Sequence, residues 1–115
     1  MMAKLSPDIR ATLSQQKEQL LDLIDEAKSL EFILLDRIGE NQQTISTLEQ
    51  LTEIAEQART KLSQLSTLHL RIAEVQPTIS NDLLKLINDA IANIESRIPA
   101  LERSLEEIKL DWRLK

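Results

Sequence analysis

Across the last third of the chain, Leu84, Ile87, Ile91, Ile94, Ile98, Leu101, Leu105, Ile108 and Trp112 recur at alternating steps of three and four residues. Leu48, Leu51, Ala55, Ala58, Leu62, Leu65, His69 and Ile72 keep the same rhythm with one polar member. So do Ile9, Leu13, Gln16, Leu20, Leu23, Ala27, Leu30 and Leu34, widened by Ile24, Leu35 and Ile38. Steps of three and four place side chains on one helix face. A repeat averaging about 3.5, held over several heptads, means knobs-into-holes packing between supercoiled helices.

The residues between these stripes act as punctuation. Ser6-Pro7-Asp8 supplies an N-cap, a proline at the first helical position and an acid at the positive end of the dipole. Gly39, the only glycine, stands where a left-handed stop belongs. A second helix starts between Asn41 and Ser46, with Asn41 and the Ser46-x-x-Glu49 capping box as alternative starts. Pro77 ends it, and Ser80 caps a third. The predicted helices cover about 7–38, 42–76 and 80–113. Connections this short force neighbours to be antiparallel. The fold class is therefore all-α: an elongated antiparallel three-helix bundle running up-down-up, one domain over residues 1–115.

Pro99 conflicts with that pattern. It removes the amide that would bond to the Glu95 carbonyl, and a proline inside a helix costs about 3 kcal/mol. The alternatives are a third helix kinked at Pro99 or a break that creates a short fourth helix. Ile98 is a poor N-cap and the stripe passes through Ile98 and Leu101 in phase, so the expectation is the kink.

Composition sharpens this picture. Leu (21) and Ile (13) supply most of the apolar side chains, Val occurs once and Tyr not at all, which excludes a β-rich fold. The absence of cysteine excludes disulfides, thiolate metal sites and a Cys nucleophile. A net charge of −5 opposes phosphate backbones and anionic lipid. Residues 1–7 contain no apolar signal region, and the longest apolar run is Phe32-Ile33-Leu34-Leu35, so a cytoplasmic protein without a membrane span is expected.

Three heptad helices in slightly over 100 residues, with Trp112 in the third, resemble a spectrin-type repeat. The resemblance covers the whole chain and is one of architecture; the first-helix tryptophan typical of that family is absent. It implies an up-down-up rod. Pairing the helices by their turns then places Trp112 beside Arg37, Ile38 and Ile45, with its indole expected to be largely buried and its N–H bonded to a carbonyl or water.

Candidate chemistry is sparse. His69, the only imidazole, is followed by Leu70-Arg71; this is faintly similar to a histidine phosphorelay pattern, but the adjacent acid is missing. The expected role is packing in or beside the stripe against a carboxylate or carbonyl. Asp22, Asp25 and Glu26, Glu53 and Glu56, and Glu106, Glu107 and Asp111 cluster at helical spacing, yet one histidine cannot complete a di-iron site. Asp22, Asp25 and Glu26 point away from the stripe by phase, so no metal and no cofactor is expected. Small all-helical chorismate mutases need bases pointing inward from a long first helix. Of Arg10, Lys17, Lys28 and Arg37, Lys17 and Lys28 reach only the flank of the stripe. The basic series Arg97, Arg103, Lys109, Arg113 and Lys115 is interleaved with acids and lacks aromatics for base stacking, so nucleic acid is not the expected partner.

Apolar residues outside the stripes carry the functional expectation. With Leu20 as the centre, Leu21 and Phe32 lie about 100–120° away and Ile33 lies round the back. Ile54, Leu68 and Val75 on the second helix and Leu86, Leu110 and Leu114 on the third also fall off the stripe. Phe32, Ile33, Leu110 and Leu114 come together if the first and third helices run parallel. They form either a surface for a protein partner or a second copy, or the margin of a wide core. The expected function is a non-enzymatic helical protein–protein interaction module: an adaptor, assembly subunit or regulator. It takes no small-molecule substrate. The alternatives are a small subunit of a nucleoprotein complex and, after it, a small all-helical enzyme.

Overall fold

The computed structural model describes residues 6–75 and 78–114. Residues 1–5, Gln76, Pro77 and Lys115 lie outside the described residues, and with them most of the segment read for a leader and the proline expected to end the second helix. Helices α1 (Pro7–Arg37), α2 (Ile45–Glu74) and α3 (Asn81–Trp112) build a rod of 59 × 19 × 17 Å. Each helix packs against both others. No helix among the described residues is long and apolar enough to cross a membrane.

The starts of α1 and α3 follow the sequence. Ser6 Oγ accepts from the Ile9 amide at 3.2 Å, and Ser80 Oγ from the Leu83 amide at 3.1 Å. The start of α2 divides the work between neighbours. Helix α2 begins at Ile45, and Thr44 makes no side-chain cap. Asn41 Oδ1 instead accepts the amides of Gln43 (2.8 Å) and Thr44 (3.1 Å), one turn earlier. Thr44 is fully buried: its hydroxyl donates to the Gly39 carbonyl at 2.7 Å and accepts the Asn41 amide at 3.0 Å. Gly39 itself adopts φ +90°, and its amide bonds back to the Leu34 carbonyl at 3.2 Å. Glycine is needed there because a Cβ disfavours that conformation. Asn41, Thr44 and Gly39 thus lock the α1–α2 turn.

Helix α3 continues through Pro99 as one element of 32 residues, so no fourth helix forms. Pro99 is exposed, while Ile98 and Leu101 beside it are buried. Packing of that stripe holds the helix together across the missing amide.

The core contains the residues whose spacing marked them: Leu13, Leu20, Leu23, Ala27, Leu30 and Leu34 from α1, Leu51, Ala55, Ala58, Leu65 and Ile72 from α2, and Ile87, Ile94, Ile98, Leu101, Leu105 and Ile108 from α3. Three corrections follow from geometry. Ile54 and Leu68, expected off the stripe, are buried, whereas Leu48, Leu62 and His69 are half-buried. Helix α2 packs against both partners, so its buried face is wider than a two-helix seam and is centred to one side of the expected one. In α3, Leu83 and Ala90 take core positions, and Leu84 and Ile91 stand at the margin. Leu35 and Ile38, expected to widen the α1 stripe, are exposed.

Candidate functional site

The four residues singled out from sequence separate into two pairs. Phe32 and Leu110 are exposed, at 68% and 76%; Ile33 packs against the core, and Leu114 belongs to it at 8% exposure. The expectation that all four share one surface is therefore corrected for Ile33 and Leu114.

The reason for Ile33 is helical drift. A seven-residue apolar repeat on a helix of about 3.6 residues per turn rotates by about 20° per heptad. Leu34 lies two heptads beyond Leu20, so the inner face there has turned by about 40°. Ile33 then stands about 100° from the stripe instead of about 140°, and Phe32 about 160° instead of about 120°. The same rotation draws Ile33 in and pushes Phe32 out.

The reason for Leu114 is a helix stop. Arg113 adopts a left-handed conformation, φ 54° and ψ 42°, and the Leu114 amide bonds to the Lys109 carbonyl at 2.8 Å while the Arg113 amide bonds to that of Leu110 at 3.3 Å. This pattern reverses the chain and returns the following residue to the helix it has just left. Leu114 is folded in, whereas Leu110, still helical, stays about 160° from the inner face.

Exposed large apolar residues concentrate instead around the first turn: Phe32, Leu35 and Ile38 on α1 and its cap, and Ile45 on α2. Phe32 and Leu35 stand three residues apart, hence one above the other on the helix surface. Leu35, Ile45 and Leu48 line a groove between α1 and α2 with Thr52, Glu31, Glu40, Glu49 and Glu53; no residue of α3 contributes. Spacing on a single helix does not reveal this groove, since its lining comes from both sides of the turn.

The remaining candidates are engaged elsewhere or stand apart. Lys17 Nζ lies 2.8 Å from His69 Nδ1. The ammonium has only protons to give, so Nδ1 accepts and the ring is neutral. This replaces the carboxylate or carbonyl partner expected for His69. Burial holds the ring's pKa below its ordinary value, and the positive charges of Lys17 and Arg10 add to that effect. Lys28 pairs with Glu31 at 3.7 Å. Arg97 donates to Gln57, and Lys109 pairs with Glu26 and Glu106. The hydrogen bond to Glu26 raises the Lys109 pKa above its usual value. Two members of the basic series are thus committed within the protein. Among the described residues no group of His, Asp or Glu is arranged to hold a metal ion.

Two polar features complete the surface. Gln16, buried in the α1 stripe, donates to the Ile91 carbonyl of α3 at 3.0 Å, and its Oε1 has no protein partner among the described residues. It borders a polar groove with Thr12, Gln15, Gln19, Glu95, Pro99 and Glu102. The Trp112 indole packs against the core, and its N–H donates to Thr47 Oγ1 at 3.1 Å, a hydroxyl in place of the expected carbonyl or water. Comparison with family models, curated proteins and solved structures finds no match to this chain.

Proposed function

We propose that this protein is a helical protein–protein interaction module that works through the flank around its first turn, not through chemistry at a catalytic centre. The observation that carries this is the clustering of Phe32, Leu35, Ile38 and Ile45, each exposed by more than 40%, about one locked turn. Isolated exposed leucines are ordinary on a small bundle, but several large apolar side chains in one place mark a binding surface. A rigid turn also presents them at little entropic cost, because Asn41, Thr44 and Gly39 already fix the backbone. The only imidazole is occupied by Lys17, which leaves it no nucleophile to activate. A cytoplasmic location suits a chain without cysteine.

The test is Phe32→Ala combined with Leu35→Ser, compared with Leu110→Ser, an exposed leucine of α3 outside the groove lining. Sedimentation of the purified chain and capture of partners from its native source are measured for both, with the melting temperature as a control. Loss of assembly or capture by at least about tenfold for the first variant alone supports the proposal. Identical behaviour of the two variants and the parent refutes it.

A further inference from the structure

The α1–α2 groove has a chemistry that specifies its occupant. It is lined by three apolar side chains, Leu35, Ile45 and Leu48, and by four carboxylates, Glu31, Glu40, Glu49 and Glu53, with no basic residue among the lining. Glu31 is engaged by Thr52 and Lys28, and Glu53 accepts from Gln57; Glu40 and Glu49 have no ion pair among the described residues. From Ile45 to Glu53 the groove runs about 12 Å, at about 1.5 Å per residue, which matches about two turns of a helix. Helix α3 covers the other side of the α1–α2 pair, so this side is where a further helix can pack.

We infer that the groove seats a basic amphipathic helix of a partner protein. Apolar side chains at i, i+3 or i+4, and i+7 rest on Leu35, Ile45 and Leu48, and flanking Lys or Arg residues face the glutamates. This deepens the interaction reading above and rests on it. A second copy docked by two-fold symmetry brings four carboxylates against four, which like-charge repulsion opposes. Phosphate-bearing partners meet the same repulsion. A basic helix is attracted by the carboxylates and desolvates the apolar lining, the combination that gives helix-in-groove binding both rate and affinity.

The test titrates the full chain with a synthetic helical peptide of Leu and Lys at heptad spacing, about 14 residues long. A Leu/Glu counterpart and a scrambled Leu/Lys peptide of equal charge serve as controls. Calorimetry should show one site for the ordered Leu/Lys peptide alone, with amide shifts in NMR centred on Leu35, Ile45 and Leu48. Glu40→Lys with Glu49→Lys should weaken it by at least about tenfold, whereas the same charge change away from the groove, Glu18→Lys with Glu102→Lys, should weaken it by less than about twofold. Equal binding of the scrambled peptide, or equal weakening by the two charge reversals, means diffuse attraction and overturns the inference. Failure of the Leu/Lys peptide to bind, while Phe32→Ala with Leu35→Ser still abolishes assembly or capture, also overturns it but leaves the interaction reading standing. If that variant is silent as well, both fall.

Discussion

Helix α1 and helix α3 both end at a left-handed residue, and the two ends treat their apolar neighbours in opposite ways. After α1, Gly39 at φ +90° leads into a turn that leaves Leu35, Ile38 and Ile45 exposed around it. After α3, Arg113 at φ 54° folds the next residue back, and Leu114 is buried. The first end uses the residue that tolerates the conformation. The second uses a side chain that resists it, by about 1–2 kcal/mol, offset by burial of the leucine behind it. An apolar residue beside a helix stop is therefore surface or core according to the path of the backbone, not its helical phase. The proposed interaction surface accordingly lies at the α1 end, whereas at the α3 end Leu114 is folded in.

The most severe way to break this contrast is a charge on the inner stripe, which both ends depend on. Ile94→Asp buries an unpaired carboxylate at a fully buried position of α3 and should abolish cooperative thermal unfolding followed by circular dichroism. Asp25→Ala, on the exposed side of α1, should change stability by less than about 0.5 kcal/mol. Next in size is the α3 end. Leu114→Asp should lower stability by about 2 kcal/mol in urea unfolding, and Leu110→Asp, four residues earlier, by less than about 0.5 kcal/mol. Equal effects would mean that Leu114 is not folded in.

At the α1 end the cost is conformational. Among the described residues nothing lies within 4 Å of a Cβ placed on Gly39, so Gly39→Ala meets no clash there and should lose about 1 kcal/mol from its positive φ alone. Arg113→Gly should relieve the corresponding strain and raise stability by about 0.5–1 kcal/mol. The ordering of these two variants in melting temperature checks whether both ends are left-handed.

The smallest expected effect is the pH response of His69, far from either of these stops. Its folded pKa is lowered, by burial first and then by Lys17 and Arg10, so between that value and the ordinary 6.5 the unfolded chain binds more proton than the folded one. Stability should fall as pH drops from 6.5 through the lowered pKa and recover on return to neutral. In His69→Gln this part of the pH dependence should disappear, as measured by urea midpoints at several pH values.

Much of the fold was legible because heptad spacing, a proline at a helix start, capping serines and a lone glycine all point to the same three helices. Each of these signals acts within about one or two turns of chain. The candidate site was half legible. Phe32 was found from phase and is exposed, but its expected companions Ile33 and Leu114 are core, for the drift and the left-handed stop described above. Leu35, Ile45 and Leu48 were visible as apolar residues, and nothing in one helix indicated that they meet across the turn.

By itself, then, the chain's pattern of apolar and polar positions determined an all-helical rod, its helix boundaries to within a few residues and the greater part of its inner stripe, since these depend on local geometry and periodicity. The tertiary structure decided which flank of α2 was buried, how Gln16 bonds across to α3, what partner His69 found and which apolar residues stayed outside. Those outcomes depend on where three helices meet and on a backbone reversal at Arg113. A third helix widens the buried arc, and one left-handed residue redirects everything after it, so neither effect can be read from the spacing of a single helix.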